Sequence, residues 1–385
     1  MNVPKLRFKE FNDEWSFTEL AKISSDISYG MGLASKEYDG VNKYIRITDI
    51  DETTNKYSNK NIVSPDGVLE DKYLVNKNDI LFARTGASTG KTYLYNEKDG
   101  KLYFAGFLIR ANIVNHDANF IFQQTKTNKY NKWVKIMSMR SGQPGINSQE
   151  YGSYKFSITS SEEEKKISKT LTLLDKKIEL QTKKIEDLKL FKLELREKMF
   201  SIYKTEEIEL GDILVKWNKK NKNNDYNYVE SVSNKFGFIA QSDQFEDRNI
   251  ASSDTRNYYV IEKGVFAYNP SRLNVGSLAL KQNERVSLVS PLYECFTTNQ
   301  NNLYLLEWFN SKEFKKGTIS KFEGGVRNTL NFTNLCKIKI SLPSKQDQDI
   351  IAKVLNIYNN LIELESLKLS KLNKLKKGLM QNMFV

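Results

Sequence analysis

The chain is written twice. Phe82-Ala83 recurs as Phe266-Ala267, Ile146-Asn147 as Leu330-Asn331, Lys155-Phe156-Ser157-Ile158 as Lys339-Ile340-Ser341-Leu342, and Met199-Phe200 as Met383-Phe384, each 184 positions on. One offset shared by four separate patches marks a duplicated unit, which restricts the fold to two copies of one architecture. In each copy an aromatic-rich stretch of short, strand-like runs gives way to a long charged helix. The repeated unit is a globular module followed by a rod.

In the first module, residues 1–160, runs at 43–47, 79–83, 92–95, 107–109 and 154–158 read as strands between Gly, Asp and Asn turns. A helix is predicted over 120–139. The second module, 205–343, repeats the plan with strands at 237–240, 265–268 and 337–342 and a helix over 304–321. Strands mixed with one or two helices predict α+β modules. The 385 residues, 39% hydrophobic and 12% aromatic, hold enough apolar material for two cores.

The rods are 161–204 and 344–385. Ser161 and Glu164 have capping-box spacing at the first start, and Pro343 marks the second. Apolar residues then recur at Ile167, Leu171, Leu174, Ile178, Ile185, Leu188, Leu195 and Met199. The second rod carries the same stripe at Ile351, Leu355, Tyr358, Ile362, Leu369, Leu372, Leu379 and Met383. Steps of three, four and seven are those of a coiled-coil seam. A helix of about 40 residues spans roughly 60 Å, too far for one module to cover its stripe. The two stripes are therefore expected to pack on each other. The predicted fold is α+β: two tandem modules joined by two long antiparallel helices in a coiled coil, with a pseudo-two-fold internal repeat.

Charge narrows the partner. The 59 Lys+Arg against 47 Asp+Glu give +12, which favours a polyanion. Cys295 and Cys336, the only cysteines, lack Cys-x-x-Cys spacing and are expected to be reduced structural thiols. No run of about 18 apolar residues and no leader-like start is present, so the expected location is cytoplasmic, with no membrane partner.

Several constellations look catalytic without having the required spacing. Gly86-Ala87-Ser88-Thr89-Gly90-Lys91-Thr92 approaches a phosphate-binding P-loop, but three residues separate its glycines where four are needed to wrap a phosphate. Strand-like Tyr93-Leu94-Tyr95 follows in place of a helix. Asp66 and Glu70 stand too close to come from neighbouring strands of a metal-dependent nuclease. Asn269-Pro270-Ser271-Arg272 lacks the second proline and the aromatic of a methyltransferase loop. His116, the sole histidine, lies at a predicted turn and is expected to be solvated. No catalytic residue and no metal site is predicted.

Polar, basic loops stand at equivalent points of the two modules. The first pair offers Arg84, Thr85, Ser88 and Lys91 in one copy and Asn269, Arg272 and Asn274 in the other. The second pair offers Arg140, Gln143 and Asn147, and Arg327 and Asn328. Arg pairs with guanine, Asn and Gln with adenine, and Lys with phosphate, so these are candidate DNA-binding residues. Strands match between copies while loop chemistry differs. That is what two different half-sites require.

These features together resemble the specificity subunits of type I restriction-modification systems. The resemblance covers the whole chain. It rests on Val3-Pro4-Lys5-Leu6-Arg7-Phe8 with Trp15, on Asp79-Ile80-Leu81-Phe82-Ala83-Arg84-Thr85-Gly86, on Gly142-Gln143-Pro144-Gly145-Ile146-Asn147, and on the helix after each module. It implies a non-catalytic subunit whose modules are target recognition domains, each reading half of an asymmetric bipartite site in double-stranded DNA. Its coiled coil would set the spacer and dock two methyltransferase subunits, which restriction/translocase subunits join. S-adenosylmethionine, ATP and Mg would sit on those partners, with no cofactor in this chain. The second copy departs from the pattern, with Asn269-Pro270-Ser271 in place of Arg-Thr-Gly, and the amino-terminal segment has no counterpart before Glu209-Leu210. The residues alone leave open a two-headed protein-binding scaffold or adaptor.

Overall fold

The computed structural model describes residues 3–139, 143–203, 205–234, 237–241, 254–319 and 329–385. The chain forms two units, one of Met1–Thr182 with Leu367–Val385 and one of Lys183–Ser366. Each takes in part of both long helices, a different division from modules at 1–160 and 205–343 with rods at 161–204 and 344–385.

The first unit is built on a four-stranded antiparallel sheet. Its spatial order is Ser24–Tyr29, Leu108–Ile113, Asp79–Ala83, Thr92–Leu94. All five residues of Asp79–Ala83 are buried, so this central strand reads as an unbroken apolar run after its aspartate. One face packs on Trp15, Phe120 and Tyr151. The predicted helix over 120–139 is two, Ala118–Gln124 and Asn128–Met137. Thr125 Oγ1 donates to the Phe122 carbonyl (2.7 Å) and Thr127 caps the second helix, so the chain turns between them.

The second unit repeats the sheet strand for strand, as Leu214–Lys216, Glu294–Thr298, Phe266–Tyr268, Leu278–Leu280. Its helix is likewise split, into Asn302–Trp308 and Lys312–Ile319. Each unit is closed by a two-stranded pair at the root of its long helix, Ser16–Glu19 with Lys155–Ile158 and Thr205–Glu209 with Lys339–Pro343.

The long helices are Ser161–Ile202 and Lys345–Asn382. In the first unit Ile167 and Leu171 share a core with Met380 and Met383, and Asp175 pairs with Lys376 at 2.6 Å. In the second, Lys184 pairs with Glu365 at 3.0 Å, Phe191 packs on Tyr358, and Met199 joins Ile351 and Leu355. Numbers rise along one helix as they fall along the other, so the pairing is antiparallel. Leu174 and Ile185 are buried in the seam, whereas Ile178, Leu188, Ile362, Leu369 and Leu372 are half-buried. The stripes skip positions 181 and 365 because Gln181 and Glu365 stand there; Glu365 is buried against Lys184. Buried polar seam positions of this kind fix register at some cost in stability.

The cap of the first long helix differs from expectation by one residue. Ser160 Oγ accepts from the Glu163 amide (3.4 Å), and Ser161 is already helical. The glutamates of that first turn are consumed in tertiary contacts. Glu163, fully buried, accepts from Arg7 Nε and Nη2 (2.7 and 2.8 Å), Trp15 Nε1 (3.1 Å) and Thr159 Oγ1 (2.6 Å). The amino-terminal segment is thereby clamped to the helix.

Glu164, equally buried, lies 2.9 Å from His116 Nδ1 and accepts from the Asp117 amide (3.0 Å). His116 is therefore not a solvated turn residue: the turn carrying it folds against the helix start. The second copy keeps the contact without the charge, with Gln348 bonded to Gln300 (3.0 Å) and accepting from the Asn301 amide (3.1 Å). The bonded Glu164 carboxylate raises the His116 pKa above its ordinary value. That stabilisation is complete below the unfolded value, about pH 6.5, and is lost as pH rises through the higher folded value. The melting temperature of the first unit should fall as pH is raised from about 6 to about 9. His116→Gln, which imitates the second copy, should flatten that profile. Parallel profiles for the two proteins in pH-dependent thermal melts would exclude this role.

Candidate nucleic-acid interface

In the first unit the central strand delivers the chain into the turn Gly86–Ser88. Gly86 and Gly90 take φ of +75° and +89°, which side chains resist, so the loop can double back. The Gly90 amide closes it on the Ala83 carbonyl (3.0 Å). Buried Tyr151 pins the same point, its hydroxyl donating to Ala83 O (2.7 Å) and accepting from Gly90 N (3.1 Å).

The second predicted loop joins the first. Gly86 N donates to Pro144 O (2.9 Å), Ile146 N to Arg84 O (2.9 Å), and Thr85 bridges to Gly145. The loops thus form one surface. Arg84 stacks on Tyr29 (4.8 Å) and reaches Gly106 O (3.4 Å), while its amide donates to Phe107 O. Phe107 is 64% exposed beside it. Gln143 is exposed next to Gly86; Thr85 and Ser88 are half-buried within the turn. Planar donors, an amide and an exposed ring are groups that read base edges and stack on bases.

Other predicted residues have different employment. Lys91 Nζ is held by Ile50 O (3.2 Å) and Glu52 (3.3 Å). Asn147 caps the helix Ser148–Gly152 in a reciprocal box with Glu150. Arg140 lies outside the described residues. Tyr29, Phe107 and Tyr151 were missed by sequence reasoning; Gly106 before an aromatic was the available signal for Phe107.

In the second unit, Phe266–Tyr268 leads to Asn269, whose side chain accepts from Ser271 N (3.0 Å) and caps Pro270–Val275. Leu330 N donates to Pro270 O (3.1 Å), so residue 330 makes the same kind of join here that residue 146 makes in the first unit. Ser271 and Arg272 are exposed. Arg327 and Asn328 lie outside the described residues, as does the side chain of Asn274. The scaffold is common to both copies: a central strand, a glycine-relieved turn and a main-chain link to the second loop.

Among the described residues no cluster of three or more His, Cys, Asp or Glu side chains could hold a metal. Burial pushes the Cys295 thiol up to about 12, far from nucleophilic thiolate. No described helix is long and apolar enough to cross a membrane.

Residues 14–190 and 204–374 each match the family model described as the type I restriction modification DNA specificity domain. The chain belongs to the type I restriction-modification DNA specificity family. Its two matches to the specificity domain bracket the two copies seen in sequence and in sheet order. The fold is similar to that of the type I restriction-modification S subunit from M. genitalium, with a TM-score of 0.61 and 16% identity over 100% of this chain and 99% of that one. It is also similar to a chain from a structure addressing complex assembly and conformational transition of the type I R-M system, at a TM-score of 0.55 and 14% identity over 96% and 97% of the two chains. At these identities the likeness concerns the fold. A Methanocaldococcus jannaschii protein named for the MjaX type I restriction enzyme specificity subunit is 27% identical over 164 residues, spanning 40% of this chain and 38% of that relative.

Proposed function

We propose that the chain is the DNA-reading subunit of a type I restriction-modification complex, in which each unit reads one half of an asymmetric bipartite site. The observation that carries this reading is the loop join, made in both units through the same main-chain scaffold but with different side chains. Arg84 over Tyr29, with Phe107, serves one word; Arg272 on a proline-led turn serves the other. The duplex is held largely by charge, so binding falls steeply with salt.

The antiparallel helices set the distance between the words. A helix of 42 residues spans roughly 60 Å, and one to two turns of DNA are about 34 to 68 Å. Exposed apolar residues along the helices support the docking of two methyltransferase subunits. Leu173, Leu180 and Phe191 are exposed there, as are Ile357, Leu364 and Leu375, each 184 positions on from its counterpart. An apolar set repeated by the offset fits two copies of one partner. In this reading the chain itself is non-catalytic. S-adenosylmethionine, ATP and Mg act on the methyltransferase and restriction subunits.

The test is selection from randomised duplexes by the chain assembled with its methyltransferase subunit. The expected product is two fixed words at one fixed spacing. Recovery of duplexes without sequence preference would favour a protein-binding adaptor instead.

A further inference from the structure

The first unit contains a cavity of about 820 Å³. Its walls are the loop at 87–92, the break between the two short helices at 124–129, and the last turns of the second long helix. Six lysines line it: Lys91, Lys126, Lys129, Lys155, Lys376 and Lys377. Glu52 is the single acidic side chain among the lining residues, and Asp175 stands behind Lys126 (4.0 Å) and Lys376 (2.6 Å). Two side-chain carboxylates thus stand against six ammonium groups.

Four of the six lysines, Lys91, Lys126, Lys129 and Lys376, are held in place. Lys91 is tied to Ile50 O and Glu52, Lys126 lies over the Phe122 ring (4.1 Å), and Lys129 donates to Val385 O (3.1 Å) over the Phe17 ring. Lys155 and Lys377 are exposed at the rim and pair with no described acidic residue. Burial pushes Lys126 down to about 8, the response of a cation kept from water without full compensation. An anion entering the cavity supplies that compensation.

The adjoining loop does not act as a P-loop. The amides of Thr89, Gly90 and Lys91 are already spent on Gly86 O, Ala83 O and Ser88 O. Recognition would fall to the lysine side chains, which grip phosphate as point charges rather than through a fixed cradle.

We propose that this cavity is a phosphate-binding site. Because its wall at 87–91 continues the loop that Arg84 opens, the group it takes is a backbone phosphate of the DNA strand leaving that loop, which rests on the DNA-reading function above. A free nucleotide would present the same chemistry. Lys155 and Lys377 are the residues to change, since neither supports a described ion pair. In the assembled complex, Lys155→Gln/Lys377→Gln is expected to weaken binding of a duplex carrying the site about tenfold and to reduce the slope of log affinity against log salt by about two, leaving both words unchanged. Lys60→Gln/Lys98→Gln, outside the cavity, should change neither. Pyrophosphate and ATP supply the second arm: loss of their thermal shift in the cavity variant, with the duplex slope intact, would support the phosphate site and name a nucleotide as its source. An unchanged slope together with an unchanged pyrophosphate shift would overturn the proposal, as would an equal slope change in the control pair. A wild-type complex without sequence preference would instead fault the DNA-reading function.

Discussion

Removing one heptad from each long helix, residues 179–185 and 363–369, is expected to bring the two half-sites about three base pairs closer while leaving both words intact. Seven residues remove about 10 Å of helix, and a base pair rises about 3.4 Å. A heptad keeps the seam in phase, so the surviving apolar residues still face one another. The two segments correspond through the 184-residue offset and take the polar seam residues Gln181, Lys184 and Glu365 out together. Duplex selection, or mapping of methylated sites in cells, reads the spacer directly. An unchanged spacer would mean that the helices do not set the distance.

The second large effect concerns the clamp at Glu163. This carboxylate is fully buried and accepts from Arg7, Trp15 and Thr159 at once. Removing one partner of a buried pair leaves the others desolvated and unpaired, at a cost of about 3 kcal/mol or more. Glu163→Ala is therefore expected to lower the melting temperature of the first unit by about 10 °C, at 2–4 °C per kcal/mol for a unit of about 200 residues. The Arg7 segment should also become open to proteolysis. Asp347, the counterpart of Glu163 in the second copy, bonds among the described residues to its cap residue Ser344 alone, so Asp347→Ala should cost about 1 kcal/mol or less. Equal losses in calorimetry would show that Glu163 acts as an ordinary first-turn residue.

Much of the fold was legible because duplication and periodicity are long-range signals. The 184-residue offset located the central strands, and the seam residues Ile167, Leu171, Ile351 and Leu355 are all buried. The short helices were drawn too long because Thr125 and Thr127 end one and start the next by local side-chain bonds, which hydropathy does not register. Spacing likewise could not tell Ser160 from Ser161 as the cap. His116 was misread because its partner, Glu164, is 48 residues away. Asn147 and Asn269 share the letters of base-reading residues with those of helix caps, and both cap helices here. The surface around Arg84 could not be assembled from sequence at all. Tyr29, Phe107 and Gly145 meet it only through sheet pairing and a main-chain bridge.

The central claim is that two copies of one scaffold read two different words. It is tested most directly by selecting duplexes, from a library with two randomised blocks and a variable spacer, with wild-type, Arg84→Ala and Arg272→Ala complexes in parallel. Each substitution is expected to relax one or two positions within one word, by about tenfold or more per position, with Arg84 and Arg272 affecting opposite words and the spacer unchanged. If both substitutions relaxed the same word, or weakened all duplexes equally, the two units would not be separate readers.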